Sequence, residues 1–174
     1  MVSLLTTVLA AQLVPIKGEL RPYRTEQVYS SETGFVERVR AGKGDRVAGG
    51  QLLADIFRDI GEKPHEVRAP FAGVVAECFI VTGARVGPGM KRHATPLFEI
   101  IETERLRIVA VAPYELPAGR SIAFRSGQRK GTGILERTVM RAGLRFAEVS
   151  VENQAGLLAP GDPVELLWPQ PAPH

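Results

Sequence analysis

Few side chains in this 174-residue chain have the types and spacing that chemistry requires. Its histidines, His65, His93 and His174, are the natural general bases and metal ligands. None is followed by glutamate at the third position, so no His-x-x-Glu zinc site exists. Met90 and His93 share a loop and form the pair a soft metal could use, but Lys91 and Arg92 between them repel a cation. Cys78 is the single cysteine, so no intrachain disulfide can form. Its place in an alternating strand predicts a buried, inert thiol. Gly127 to Gly133 is glycine-bearing, but no Gly-Lys-Ser/Thr follows to cradle a phosphate. No Ser/His/Asp set or paired-carboxylate motif is present. The expectation is a protein that is not an enzyme and holds no cofactor or metal. Polar chemistry gathers instead in two turn-rich connections, with Arg58, Lys63 and His65 in 57–66 and Lys91 and Arg92 in 87–95. Loops on rigid scaffolds are where binding usually sits, so these five are the candidate interaction residues.

Around those loops, the composition is that of a packed globule: 44% hydrophobic and 24% charged. Eighteen glycines and 13 prolines punctuate strands and favour a turn-rich β protein. The formal charge is +3, and acids and bases are interleaved, as in Glu37-Arg38 and Glu136-Arg137. A nucleic-acid partner, which needs clustered Lys and Arg with exposed aromatics, is not expected. Leu4 to Val14 is mostly apolar but too short to span a bilayer, and no Lys or Arg precedes Lys17 as a secretory signal needs. It reads as a strand packed on the body, with a cut-down signal or anchor as the alternative.

A piece of the chain occurs twice. Gly34-Phe35-Val36-Glu37-Arg38-Val39 leads to Gly44-Asp45-Arg46-Val47 and then Gly50-Gln51-Leu52-Leu53-Ala54-Asp55-Ile56. Further on, Gly73-Val74-Val75-Ala76-Glu77-Cys78 leads to Gly83-Ala84-Arg85-Val86 and then Pro96-Leu97-Phe98-Glu99-Ile100, with the two glycines at the same spacing as Gly34 and Gly44. Two half-sized β units with matched turns predict a small sandwich with a pseudo-twofold. Gly44 and Gly83 fall where a turn needs φ > 0.

Elsewhere the pattern is also β. Gly34 to Arg40 alternates Phe35, Glu37 and Val39 against Val36, Arg38 and Arg40. Gly18 to Tyr23 reads as a linker or short strand, and Ser126 to Gly131 as a polar hairpin loop. From Leu106 a further set of strands at roughly 8–12-residue spacing predicts a small closed barrel. No segment sustains a helical period. The predicted organisation has four parts. Residues 1–23 form an N-terminal strand completing the barrel, 24–102 a sandwich, 103–168 the barrel, and 169–174 a loose, proline-rich tail.

Gly44-Asp45-Arg46-Val47 with Gly50 to Ile56 resembles the first half of a biotinyl/lipoyl-type sandwich. Arg68-Ala69-Pro70-Phe71-Ala72-Gly73-Val74-Val75 resembles the start of its second half. With Leu106 to Val111 and Gly161-Asp162-Pro163-Val164-Glu165-Leu166 following, the order is similar to that of periplasmic adaptor subunits, or membrane fusion proteins. The resemblance covers about residues 5–168 and implies an all-β fold, a lipoyl-like barrel-sandwich hybrid followed by a small β-barrel. It implies a non-catalytic subunit of an efflux or transport complex in the periplasm, associated with the inner membrane. A ring of copies would bridge an inner-membrane transporter to an outer-membrane channel.

The chain departs from that family in two ways. Members usually carry a long α-helical hairpin between the sandwich halves, and here ten residues, Phe57 to Glu66, stand in its place. With a helical rise of about 1.5 Å per residue they make under three turns, too short to reach a distant channel. The family's membrane-proximal domain also needs strands beyond the barrel, so a minimal adaptor or a fragment of one is expected. The alternative is a biotinyl- or lipoyl-like carrier or accessory domain of an enzyme complex. Lys63 is then the nearest lysine for the prosthetic group, but it is flanked by Glu62 and Pro64 in a loop longer than a two-residue turn. The hairpin also resembles that of the C-terminal domain of aspartoacylase-like zinc hydrolases, whose His-x-x-Glu site this chain lacks.

Overall fold

A computed structural model describes residues 13–58, 64–88 and 96–170. Every regular element among them is a β-strand. In chain order these are β1 (Leu13–Pro22), β2 (Thr25–Tyr29), β3 (Gly34–Val39), β4 (Arg46–Val47), β5 (Leu52–Arg58), β6 (His65–Arg68) and β7 (Gly73–Cys78). There follow β8 (Arg85–Val86), β9 (Pro96–Ile101), β10 (Arg105–Val111), β11 (Ser121–Ser126), β12 (Arg129–Arg141), β13 (Leu144–Glu152) and β14 (Pro163–Pro169). Two compact units result. One holds the described residues up to Arg21, Arg107–Glu152 and those from Leu158; the other holds the described residues of Pro22–Leu106 with Asn153–Leu157.

The first unit is a closed barrel in the order β1-β10-β13-β12-β11-β14. Strand side chains alternate between faces, and here Ile108, Ala110, Ile122, Phe124, Leu135, Ala147, Val149, Leu166 and Trp168 are buried. Each large apolar side chain so enclosed is worth about 1.5–3 kcal/mol. Closure depends on β1 returning antiparallel to β14, from Leu13↔Pro169 to Glu19↔Pro163. Residues 6–12 of the predicted N-terminal strand lie outside the described residues.

Of the two readings of Gly18 to Tyr23, linker or short strand, the strand holds: β1 runs on to Pro22, with Leu20 N–H donating to Asp162 O at 3.1 Å and Gly161 N–H donating to Leu20 O at 2.7 Å. Two sequence expectations need correction in this unit. The predicted loop from Ser126 to Gly131 shrinks to the turn Gly127–Gln128, since pairing extends to Ser126↔Arg129. The tail does not begin at Pro169, which is buried and pairs with Leu13. A proline at a strand end forfeits one donor and keeps its carbonyl.

The second unit is two four-stranded sheets, β2-β9-β7-β4 and β6-β5-β3-β8. Between them lie Val36, Val47, Leu53, Ile56, Val67, Val75, Leu97, Phe98 and Ile100. The repeat read in the sequence is reproduced in the hydrogen bonds. Gly44 and Gly83 adopt φ of 92° and 86°. Gly44 N–H donates to Val75 O, and Gly83 N–H donates to Val36 O, both at 2.8 Å. Val75 and Val36 return the bond, to Asp45 O and Ala84 O. Arg46↔Val74 and Val47↔Gly73 in one half match Arg85↔Phe35 and Val86↔Gly34 in the other.

Even the irregularities repeat. A β-bulge falls between Val36 and Arg38 and another between Val75 and Glu77, the same step along the chain that separates Gly44 from Gly83. The first corrects the predicted strict alternation of Gly34 to Arg40. Phe35 is exposed and Val36 buried, but after the bulge Glu37 and Arg38 are both exposed and Val39 turns inward. Cys78, expected buried, is half-buried at the end of β7, packed on the core with Sγ 3.5 Å from Ile80 O.

Candidate functional site

Gly34, at the start of β3, organises one end of the sandwich. It lies between Arg58, the last residue of β5, and Val86, the last of β8. A Cβ on Gly34 would stand 2.1 Å from Phe57 O, so only glycine lets the backbones approach this closely. The consequence is topological. The 59–64 connection and the 87–95 connection leave the sheet on either side of one residue. The 30–33 turn joins them, since a Cβ on Gly87 would meet Thr33 Oγ1 at 3.1 Å. The chain enters and leaves the sandwich at the opposite end, where Thr25 pairs with Ile101.

The five candidate residues distribute over this end. Arg58 is half-buried opposite Gly34. His65 opens β6 opposite Ile56, half-buried, with Nε2 3.2 Å from Ser31 Oγ. Lys63, Lys91 and Arg92 lie outside the described residues, as do Met90 and His93. The antiparallel pairs Ile56↔His65 and Asp55↔Glu66 show that the strands run closer to the tip than the sequence suggested. Six residues, 59–64, join β5 to β6 in place of the ten expected. As a helix they would rise only about 9 Å, no long helical hairpin.

Three further residues sit beside the tip that sequence reasoning did not single out. Phe35 and Phe57 face each other across β3 and β5 and are 44% and 54% exposed. Arg85, on the next strand, places its guanidinium 5.4 Å from the centre of the Phe35 ring. An exposed cross-strand phenylalanine pair with a stacked arginine is the composition of a protein-binding hot spot, where aromatics and Arg are enriched. The signal was available: Phe35 alternates with the buried Val36. The pairing with Phe57, on a different strand and remote in sequence, was not legible without the register. Among the described residues, no three His, Cys, Asp or Glu side chains gather closely enough to hold a metal ion.

No family model matches the sequence, and no curated protein does. The structure does have relatives. A MacA–MexA chimeric protein containing the Pseudomonas aeruginosa MexA alpha-hairpin domain superposes with a TM-score of 0.74 at 14% identity, over 90% of this chain and 81% of that one. A membrane fusion protein from Streptococcus pneumoniae gives a TM-score of 0.64 at 13% identity, over 90% of this chain and 100% of its own. The periplasmic adaptor protein EmrA gives 0.58 at 10% identity, over 90% and 98%. At such identities the likeness is one of fold: an all-β barrel-sandwich hybrid with a β-barrel, built as membrane fusion and periplasmic adaptor proteins are built.

Proposed function

We propose that this chain is a non-catalytic adaptor subunit of a transport or efflux complex, working in the periplasm against the inner membrane. One observation carries the reading. Barrel and sandwich together, about 90% of the chain, follow the fold of proteins named as membrane fusion and periplasmic adaptor proteins. The partner is an inner-membrane transporter, and several copies of the chain assemble around it. The contact surface is the tip end of the sandwich: Arg58 and His65, the connections bearing Lys63, Lys91 and Arg92, and the exposed Phe35–Phe57 pair with Arg85. A six-residue connection cannot reach a distant channel as a long hairpin would. If an outer-membrane channel is part of the complex, this tip must meet it directly or through another subunit.

The test is capture from detergent-solubilised native membranes with the tagged chain as bait, read by mass spectrometry. Recovery of an inner-membrane transporter is expected, and a channel recovered with it would show that the short tip does not prevent bridging. Recovery of soluble enzymes alone, or of nothing, would sink the adaptor reading; an added mass on Lys63 would then favour a carrier domain.

A further inference from the structure

The longest hairpin of the barrel ends in a cationic, apolar point. β12 pairs with β13 up to Arg141↔Leu144, leaving Ala142 and Gly143 as a two-residue turn. Both have positive φ, 48° and 78°, the geometry that matches the twist of a hairpin. Ala142 is the one non-glycine with positive φ among the described residues, so the chain holds this tight tip at some conformational cost. Neighbouring support stops early. β11 pairs with β12 only from Arg129 to Ile134, with Leu135 N–H donating to Arg120 O beyond it. On the other side, the last neighbour bond is from Ala112 N–H to Arg145 O. The arm 141–144 runs past both.

Its residues divide by height. At the root, Glu148 is 3% exposed and accepts from Arg137 Nε at 2.9 Å and Arg141 Nη2 at 3.0 Å, with Arg107 Nη1 at 3.6 Å. One buried carboxylate thus locks three arginines, and Glu136 approaches Arg107 at 3.7 Å. From Arg137 to Ala147 there is no acidic residue, while Arg137, Arg141 and Arg145 are all basic. At the tip, Met140 is 61% and Leu144 50% exposed.

We propose that the β12–β13 tip docks onto an anionic lipid surface, Met140 and Leu144 entering the interface and the arginines meeting the headgroups. Charge complementarity requires an anionic partner. The size of the tip selects a lipid surface over an acidic protein. A stable protein interface takes roughly 20–30 residues a side, whereas a bilayer accepts a point. Each arginine near an anionic membrane surface strengthens binding by about fivefold. The inference rests on the hairpin alone and not on the adaptor reading.

The test is sedimentation of the full chain with vesicles. The chain is expected to bind mixed phosphatidylcholine–phosphatidylglycerol vesicles, more weakly at high salt, and to leave pure phosphatidylcholine vesicles in the supernatant. Met140→Ser with Leu144→Ser should weaken binding by about tenfold or more. Arg145→Gln, which leaves the partners of Glu148 in place, should weaken it by about fivefold. Met140 and Leu144 are exposed and Arg145 is half-buried, and an unchanged melting temperature verifies the fold of each variant. Equal binding to neutral vesicles, full binding by the double variant, or no binding to anionic vesicles would overturn the proposal; in the last case an acidic protein becomes the partner to seek.

Discussion

The two halves of the sandwich have the same ladder and different connections, and the difference separates scaffold from surface. Turn glycines, returned hydrogen bonds, pairing register and bulges all repeat at one constant offset along the chain. The turns 30–33 and 69–72 have the same length. After β4, however, four residues (48–51) lead to β5; after β8, nine residues (87–95) lead to β9. The five extra residues belong to the connection that follows Val86, the partner of Gly34. Electrostatics diverge too. Arg38 faces Asp55 in the first half, and Arg40 holds that buried carboxylate at 2.7 Å. At the matching place in the second half Glu77 faces Glu99, and the two are served separately by Lys43 and Gln27. What both halves need is structural; what one half alone carries is free to serve recognition.

The equivalence can be broken most severely at Gly34 and Gly73. A Cβ there would stand 2.1 Å from Phe57 O and 2.3 Å from Ile101 O. Gly34→Val and Gly73→Val should each cost more than about 3 kcal/mol and unfold the sandwich. Trp168, the single tryptophan, lies in the barrel, so its fluorescence should remain native while circular dichroism reports the lost strands. Simultaneous loss of both signals would mean that the two units do not fold independently.

Next in size is the charge asymmetry. Arg40→Ala leaves Asp55 buried without its guanidinium and should cost about 1–3 kcal/mol in denaturant titration. Gln27→Ala, at the more solvated Glu99, should cost under about 0.5 kcal/mol. Similar values for the two would erase the distinction. Gly44→Ala and Gly83→Ala should each cost about 1 kcal/mol by the same titration, because an added Cβ meets nothing within 4 Å and only the positive φ opposes it. Smallest is loop length. Trimming 87–95 to four residues changes closure entropy by about 0.7 kcal/mol, so stability should hardly move while capture of the partner is lost.

Much of the scaffold was legible because glycine marks it. Gly34 and Gly73 stand where close backbone approach excludes a Cβ, and Gly44 and Gly83 where positive φ favours glycine, so their spacing exposes the repeat. The bulges were hidden, since one extra residue reverses which face Arg38 and Val39 occupy without altering composition. The Phe35–Phe57 pair and the arginines around Glu148 were hidden for another reason. They depend on register between strands, which no local pattern encodes. Strand ends were read short at Gly18, Ser126 and Pro169, where ladder bonds carry the strand through residues that usually end one. The tip loops were legible as cationic connections. That both flank Gly34 emerged only from the pairing.

The most direct test of the central claim is site-specific photo-crosslinking in native membranes from two positions of the sandwich. One is Phe57, at the tip end; the other is Gln51, in the four-residue 48–51 connection at the opposite end. The expected result is a crosslink to a second membrane-complex protein from position 57 and none from position 51. A crosslink from 51 alone, or from neither, would contradict the proposed assignment of the tip end as the contact surface.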